Sequence, residues 1–286
     1  LSQNLCHYWC KIMNKYMLSI VIIFSLITLS CCSFTDKTAS VSQSDLPKQT
    51  SYQDYDKKSY GWGMGKQLNE DNCPLSCISF QEKFGSKYDA YFYNPPKENS
   101  DKKTIMLTFD NGYENGCTEK ILDILKEKDV HAVFFLTGDF LTKNDAIIRR
   151  MVDENHTLGN HTVHHPSMPE ISVDKMISEI QTLDDAVSQT YGVKMNLFRP
   201  PKGEYSEQSL AVTKDLGYKS VFWSFAYADW DPNKQPNEET SKKSLIDHLH
   251  NGAIYLLHAV SKTNTNILAD FIDSAKSQGY EFVSEL

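Results

Sequence analysis

Side chains that can move protons or bind a metal stand at the ends of short apolar runs in this sequence. Asp110 closes the run "TIMLTF" (residues 104–109) and is followed by Asn111 and Gly112. His161 and His165 fall in "HTVHHP", Arg199 opens "RPPKG", Asp229 precedes Trp230, and His258 follows "AIYLL". Carboxylates and imidazoles are suited to general acid–base work. Two neutral imidazoles close in sequence are good ligands for zinc and similar divalent ions. An open metal site needs a third protein ligand and a free position for water, whose pKa zinc lowers to about 7. The strand end at Asp110–Asn111 could offer both that ligand and a base. Arg199, with Pro200 and Pro201 rigid behind it, is of the type that clamps a carboxylate through two parallel hydrogen bonds. Such a clamp would hold Asp110 ionised, as a base must be. Asp229 is expected to balance Arg199 from the other side, and His258 to protonate a leaving group.

Each residue has a plainer reading by itself. Asp-Asn-Gly is common turn chemistry. Paired histidines are more often surface or capping residues, and His164 is read as one. Asp229 is as readily a helix or turn cap, and a single strand-end histidine is usually a satisfied polar group. Their joint placement is what argues for chemistry.

That placement follows from a regular alternation beginning at residue 104. Strands are expected over 104–109, 131–136, 156–161, 195–199, 220–225, 253–258 and 280–285. Between them lie helical stretches. "ISVDKMISEIQTLDDAVSQTYG" sets Met176, Ile180, Leu183, Val187 and Tyr191 on one face. "SEQSLAVTKDLG" and "NILADFIDSAKSQG" end in Gly217 and Gly279, as helices commonly do. Strands separated by helices predict a parallel α/β sheet with right-handed crossovers, open or closed into a barrel. In such architectures the active site lies at the carboxyl ends of the strands, and that is where Asp110, His161, Arg199, Asp229 and His258 fall.

The same stretches resemble the polysaccharide deacetylase, or NodB-homology, family of carbohydrate esterases over roughly residues 103–286. The motif Thr-Phe-Asp-Asp-Gly appears as Thr108, Phe109, Asp110, Asn111, Gly112. The His-[Ser/Thr]-x-x-His-Pro motif is His161, Thr162, His165, Pro166. Arg199 to Pro201, Asp229–Trp230 and Leu256–His258 complete the order. The resemblance implies a distorted (β/α) barrel of about seven parallel strands and metal-dependent removal of an N-acetyl group from an amino sugar. Asp110 would be the base and His258 the acid, with Arg199 and Asp229 setting their protonation states. His161 and His165 would hold the metal, expected to be zinc. Trp230 and Leu256 would shape the acetyl pocket, with Pro201 also against the substrate. Asn111 departs from the usual aspartate and makes a weaker, neutral ligand. Asparagine here, with "GWG" upstream and "AIYLLHAVS" downstream, is similar to the spore-cortex muramic acid de-N-acetylase branch. The substrate implied is N-acetylmuramic acid in peptidoglycan after an amidase has removed the stem peptide, leading to muramic δ-lactam. The rivals are an N-acetylglucosamine deacetylase and a wall-binding protein that has lost catalysis.

The chain has 286 residues, 40% hydrophobic and 23% charged, with net charge -8. The composition is that of an ordinary globular protein, and the acidic balance argues against a nucleic-acid partner held through phosphates. Residues 1–32 read as an export signal: Lys11 and Lys15 precede a short apolar core at 17–29. "LSCCS" resembles a lipoprotein signal with Cys32 lipidated, although plain cleavage or an uncleaved anchor fits as well. The protein is therefore expected to be exported, with an N-terminal membrane anchor in the lipidated or uncleaved case. Residues 33–60 read as a flexible tether, Trp62 as an anchor onto the domain, and 61–286 as the catalytic domain. Residues 87–94 suggest an edge strand. Cys73 and Cys77 are placed for a disulfide in an exported chain, or are simply structural.

Overall fold

The computed structural model describes residues 51–97 and 100–286. The expected export signal, Cys32 and most of the tether lie outside the described residues. Eleven strands occur in the described part: β1 (Tyr60–Gly61), β2 (Ala90–Tyr91), β3 (Lys103–Asn111), β4 (Val133–Leu136), β5 (Thr157–Asn160), β6 (Leu197–Phe198), β7 (Glu204–Tyr205), β8 (Lys219–Val221), β9 (Phe225–Ala226), β10 (Ala253–His258) and β11 (Tyr280–Phe282). One nine-stranded sheet runs β2-β8-β6-β5-β4-β3-β10-β9, with β11 beside the start of β3. Every pairing in it is parallel. β1 and β7 form a separate antiparallel pair.

Alternation along the strands divides the core into two layers. Met106, Val133, Phe135, Leu197, Val221 and Ile254 fill the interior of the curled sheet. Ile105, Leu107, Phe109 and Phe134 face outward, into a larger cluster with the helices. Phe109 stacks on Phe134 at 5.2 Å, and truncating such a buried ring to alanine costs about 3–5 kcal/mol. Gly159 is required by the interior: a Cβ there would lie 2.4 Å from the Phe135 ring.

The run expected as one strand over 220–225 is broken, and the break makes the barrel. Its first part, β8, pairs with β6 and β2, while its second part, β9, pairs with β10 at the opposite end of the sheet. Between them the Phe222 amide bonds to Tyr91 O at 2.8 Å and the Ser224 amide to Ile254 O at 2.9 Å. One stretch of chain thus joins both ends of the sheet, which curls into a distorted (β/α) barrel.

The expected helices form at Val173–Tyr191, Glu207–Asp215 and Lys262–Ser277. Each is started by a serine whose hydroxyl accepts a backbone amide: Ser172, Ser206 and Ser261. Met176, Ile180, Leu183 and Val187 are buried on the long helix, and Tyr191 is half-buried at its end. The strand suggested at 87–94 shrinks to Ala90–Tyr91, at the edge of the sheet.

Residues 51–60, expected in the tether, pack on the domain. The Tyr52 hydroxyl donates to Asp215 at 3.0 Å, Gln208 Nε2 donates to Tyr52 O, and Tyr60 pairs with Tyr205. Aromatic side chains every few residues (Tyr52, Tyr55, Tyr60) give this segment enough apolar surface to stay down. Trp62 is buried as an anchor, with Nε1 donating to Trp223 O at 2.9 Å. Cys73, Cys77 and Cys117 are all free and buried, so the disulfide is not formed. Among the described residues no helix is long and apolar enough to cross a membrane.

Candidate active site

The carboxyl ends of the strands open into a cleft of about 550 Å³ lined by Asp110, His161, His165, Trp230, Leu256 and His258, among others. Parallel pairing of β3 with β10 sets Asp110 and His258 side by side in register. His161 follows β5 directly and Arg199 follows β6, and the Arg199 amide bonds to Asn160 O at 3.0 Å. Asp229 lies on the loop after β9. The expected residues therefore do meet at one rim.

Arg199 is fully buried, and each of its three nitrogens donates a hydrogen bond. Nη1 donates to Asp110 Oδ1 at 2.8 Å and Thr108 Oγ1 at 2.7 Å. Nε donates to Val221 O at 3.1 Å and Nη2 to Phe222 O at 3.2 Å. The guanidinium also lies 4.2 Å from the centre of the Phe135 ring. The contact with Asp110 is thus a single nitrogen, not the two-point clamp expected. The barrel wall offers backbone carbonyls that take the other donors. The charge relation still holds. Burial by itself would raise the Asp110 pKa, but Arg199, with His258, brings it below the usual carboxylate value.

Asp229 does not face Arg199 as expected. It is fully buried, with Oδ1 accepting from His258 Nδ1 at 2.7 Å and Oδ2 from the His258 amide at 2.8 Å. Burial opposes a charge on His258, but Asp229, with Asp110, outweighs it and raises the imidazole pKa above its ordinary value. Two titrating groups side by side are thus driven apart, one toward the base form and one toward the acid form. Such opposed tuning is what acid–base chemistry requires of a pair.

His161 Nδ1 lies 2.8 Å from Arg199 O. A carbonyl only accepts, so Nδ1 carries the proton and Nε2 presents a lone pair. Burial lowers the His161 pKa to about 4 and also lowers that of His165. The lone pair of Nε2 faces Asp110 Oδ2 at 3.5 Å, two acceptors with no proton between them. Asn111, next to Asp110 in the chain, is fully buried with both side-chain polar atoms unpartnered, although it does not line the cleft. Imidazole lone pairs and an orphaned carboxamide oxygen are what a bound cation would satisfy, so the residues present fit a divalent ion. Among the described residues no group of three or more His, Cys, Asp or Glu is arranged to hold a metal. His164 is apart from this: its ring is exposed and pairs with Glu179 at 2.8 Å.

Leu256 and Pro201 are buried, and Trp230 stands 58% exposed, 6.1 Å from the His258 ring. Leu256 and Trp230 line the cleft, whereas Pro201 does not. The Pro201 turn instead delivers its neighbour. Lys202, at φ 60°, is exposed and lines the cleft. Among the described residues it has no ion-pair partner.

Residues 97–221 match the family model described as polysaccharide deacetylase. The peptidoglycan-N-acetylmuramic acid deacetylase PdaA of Bacillus subtilis is 42% identical over 224 residues, covering 78% of this chain and 83% of that protein. The chain belongs to the polysaccharide deacetylases of carbohydrate esterase family 4. The solved structure of PdaA, titled a family 4 carbohydrate esterase, superposes with a TM-score of 0.73 at 40% identity, covering 79% of this chain and 94% of that one. A family 4 carbohydrate esterase from Bacillus anthracis gives a TM-score of 0.64 at 35% identity, covering 80% and 95%. A peptidoglycan-N-acetylglucosamine deacetylase of Listeria monocytogenes is 33% identical over 66% of this chain and 39% of its own length. Deacetylases of this family are metal-dependent in general.

Several residues around this deacetylase's site were given no role by the motifs. Thr108 holds Arg199, and a period-two reading back from Asp110 would have put it on the same face. Tyr113, Trp223 and Tyr227 line the cleft from loops and strand breaks that carry no periodic signal. Asn264, in the first turn of the last long helix, bonds to Asp229.

Proposed function

We propose that this chain hydrolyses the N-acetyl group of N-acetylmuramic acid residues in peptidoglycan strands whose stem peptides an amidase has removed. The observation that carries the hydrolytic reading is the pairing of Asp110 with Arg199 and of His258 with Asp229 across one cleft. Asp110 takes a proton from water as the oxygen attacks the acetyl carbon, using Oδ2, which Arg199 leaves free. His258 gives its Nε2 proton to the amide nitrogen as the C–N bond breaks, releasing acetate and the free amine. Leu256 and Trp230 hold the acetyl methyl, and the Pro201 turn braces that side of the cleft. His161, His165 and, more weakly, Asn111 would hold a divalent ion, zinc by the chemistry of the donors, which supplies Lewis acidity to the attacked carbonyl and acidifies water.

Lys202 favours muramic acid over glucosamine. An exposed cation at the cleft rim matches the lactyl carboxylate that only the muramic residue carries, and the amine so formed can close on that carboxyl to give the δ-lactam. The placement proposed is outside the cell membrane, at the cortex of the spore. Catalytic loss is disfavoured, because a binding protein has no use for two oppositely tuned groups.

The test is mass spectrometry of peptide-free glycan and of chitooligosaccharide after incubation with the protein and a divalent ion. Loss of acetyl groups from muramic residues is expected, weakened by Lys202→Gln. Deacetylation of chitooligosaccharide alone would assign the glucosamine activity, and neither product would leave the binding role.

A further inference from the structure

Asp229 receives three donors at two oxygens. His258 Nδ1 reaches Oδ1, while the His258 amide and Asn264 Nδ2 both reach Oδ2, the latter at 2.5 Å. Asn264 is itself buried and held on every side. Its Oδ1 accepts from the Tyr227 hydroxyl, its Nδ2 also approaches His258 O at 3.3 Å, and its amide is capped by Ser261 Oγ at 3.1 Å. The carboxamide can sit only one way round, since the reverse would set Oδ1 against the carboxylate. Asn264 lies in the first turn of the helix Lys262–Ser277.

We infer that Asn264 is a positioning residue: by holding Asp229 Oδ2 it fixes the carboxylate so that Oδ1 takes the Nδ1 proton of His258 and Nε2 is turned to the cleft. This rests on the reading of His258 as the general acid. With the Nδ1 proton tied to Asp229, the only proton the imidazolium can surrender is the one on Nε2, toward the leaving nitrogen. Without Asn264, Oδ2 keeps a single backbone donor and the carboxylate can rotate about its Cβ–Cγ bond. The ring then follows it, and the neutral tautomer is no longer dictated.

The experiment compares Asn264→Leu and the isosteric Asn264→Asp with the parent chain. Steady-state kinetics on peptide-free glycan are read alongside ¹⁵N spectra of histidine-labelled protein. The expected result is a kcat lowered roughly tenfold or more with KM within about twofold, since a misdirected acid forfeits part of the 10²–10⁴ such a group contributes. His258 should change from one neutral tautomer, protonated at Nδ1, to a mixture. Unchanged kcat with a single tautomer overturns the inference, as does a parallel loss of kcat and substrate binding with the tautomer intact. If Asn264→Leu does not fold, Asn264→Asp carries both readouts. If the parent chain releases no acetate, the functional reading has failed, and the tautomer of His258 still decides the role of Asn264.

Discussion

Asp229→Asn changes one atom in a buried side chain and should nearly silence the enzyme. Three N–H donors point at the carboxylate: Nδ1 and the amide of His258, and Nδ2 of Asn264. An amide has one acceptor oxygen, so it can serve either His258 Nδ1 or the pair at Oδ2, never both. With the oxygen toward Nδ1, the new NH₂ confronts two donors. With it reversed, the NH₂ faces Nδ1 and selects the wrong tautomer of a neutral ring. Either way one or two buried donors lose their acceptor, at about 1–3 kcal/mol each. The protein should melt lower but remain folded, as a loss of about 1–6 kcal/mol falls below most of the typical stability range of about 5–15 kcal/mol. The chemical loss is larger. Burial depresses the His258 pKa, and Asp229 is the foremost partner that reverses this. Without it the imidazole pKa falls from its raised value, leaving Asp110 as the remaining carboxylate that favours the charged ring. The group acts as an acid, so activity is lost as pH rises through its folded pKa, and the alkaline limb of the pH–kcat profile should move down. A fall in kcat of about 10²–10⁴ is expected. Acetate release measured across pH, with a thermal melt of the same sample, tests this. A variant within threefold of the parent kcat and with an unmoved alkaline limb would refute the pairing as the source of the acid.

Three further outcomes are expected. Asp110→Asn should lower kcat by about 10²–10⁴ and leave Arg199 buried without its anion, lowering the melting temperature; near-parental turnover would remove Asp110 from its assigned role. The candidate ligand set of two imidazoles and one amide should bind metal modestly, so a chelator should strip activity and added Zn²⁺ restore it. Asn111→Asp should bind the ion more tightly by calorimetry, and no gain would exclude that side chain as a ligand. Finally, burial lowers the pKa of both His156 and His250 to about 4. The unfolded chain takes up protons near 6.5 while the native state does not, so stability is complete above that pH and falls as pH drops toward 4. The loss is about 1–2 kcal/mol per histidine at pH 5, and denaturant titrations at pH 5 and 7.5 that give equal stabilities would contradict it.

The apolar periodicity of the chain determined much of this. Runs such as "TIMLTF" and "AIYLLH" can be buried strands and little else, and a parallel sheet collects their carboxyl ends on one rim. Asp110, His161, Arg199 and His258 were therefore legible as neighbours before any coordinates. Motif order pointed in the same direction, and PdaA, 42% identical, bears it out at the level of family and fold. The partners within that rim were not legible. Whether Asp229 serves Arg199 or His258 depends on where the broken run 219–226 crosses the barrel, and hence on which loop its second part feeds. The number of Arg199 donors left for Asp110 depends on the carbonyls of Val221 and Phe222, which no side-chain pattern encodes. Asn264 reads in sequence as one more polar residue in a first helical turn. Burial and strand period are set by local chemistry that a sequence carries along its length. The choice among acceptors a few ångströms apart is settled by the cross-section of the curled sheet, which exists only once the distant segments have met.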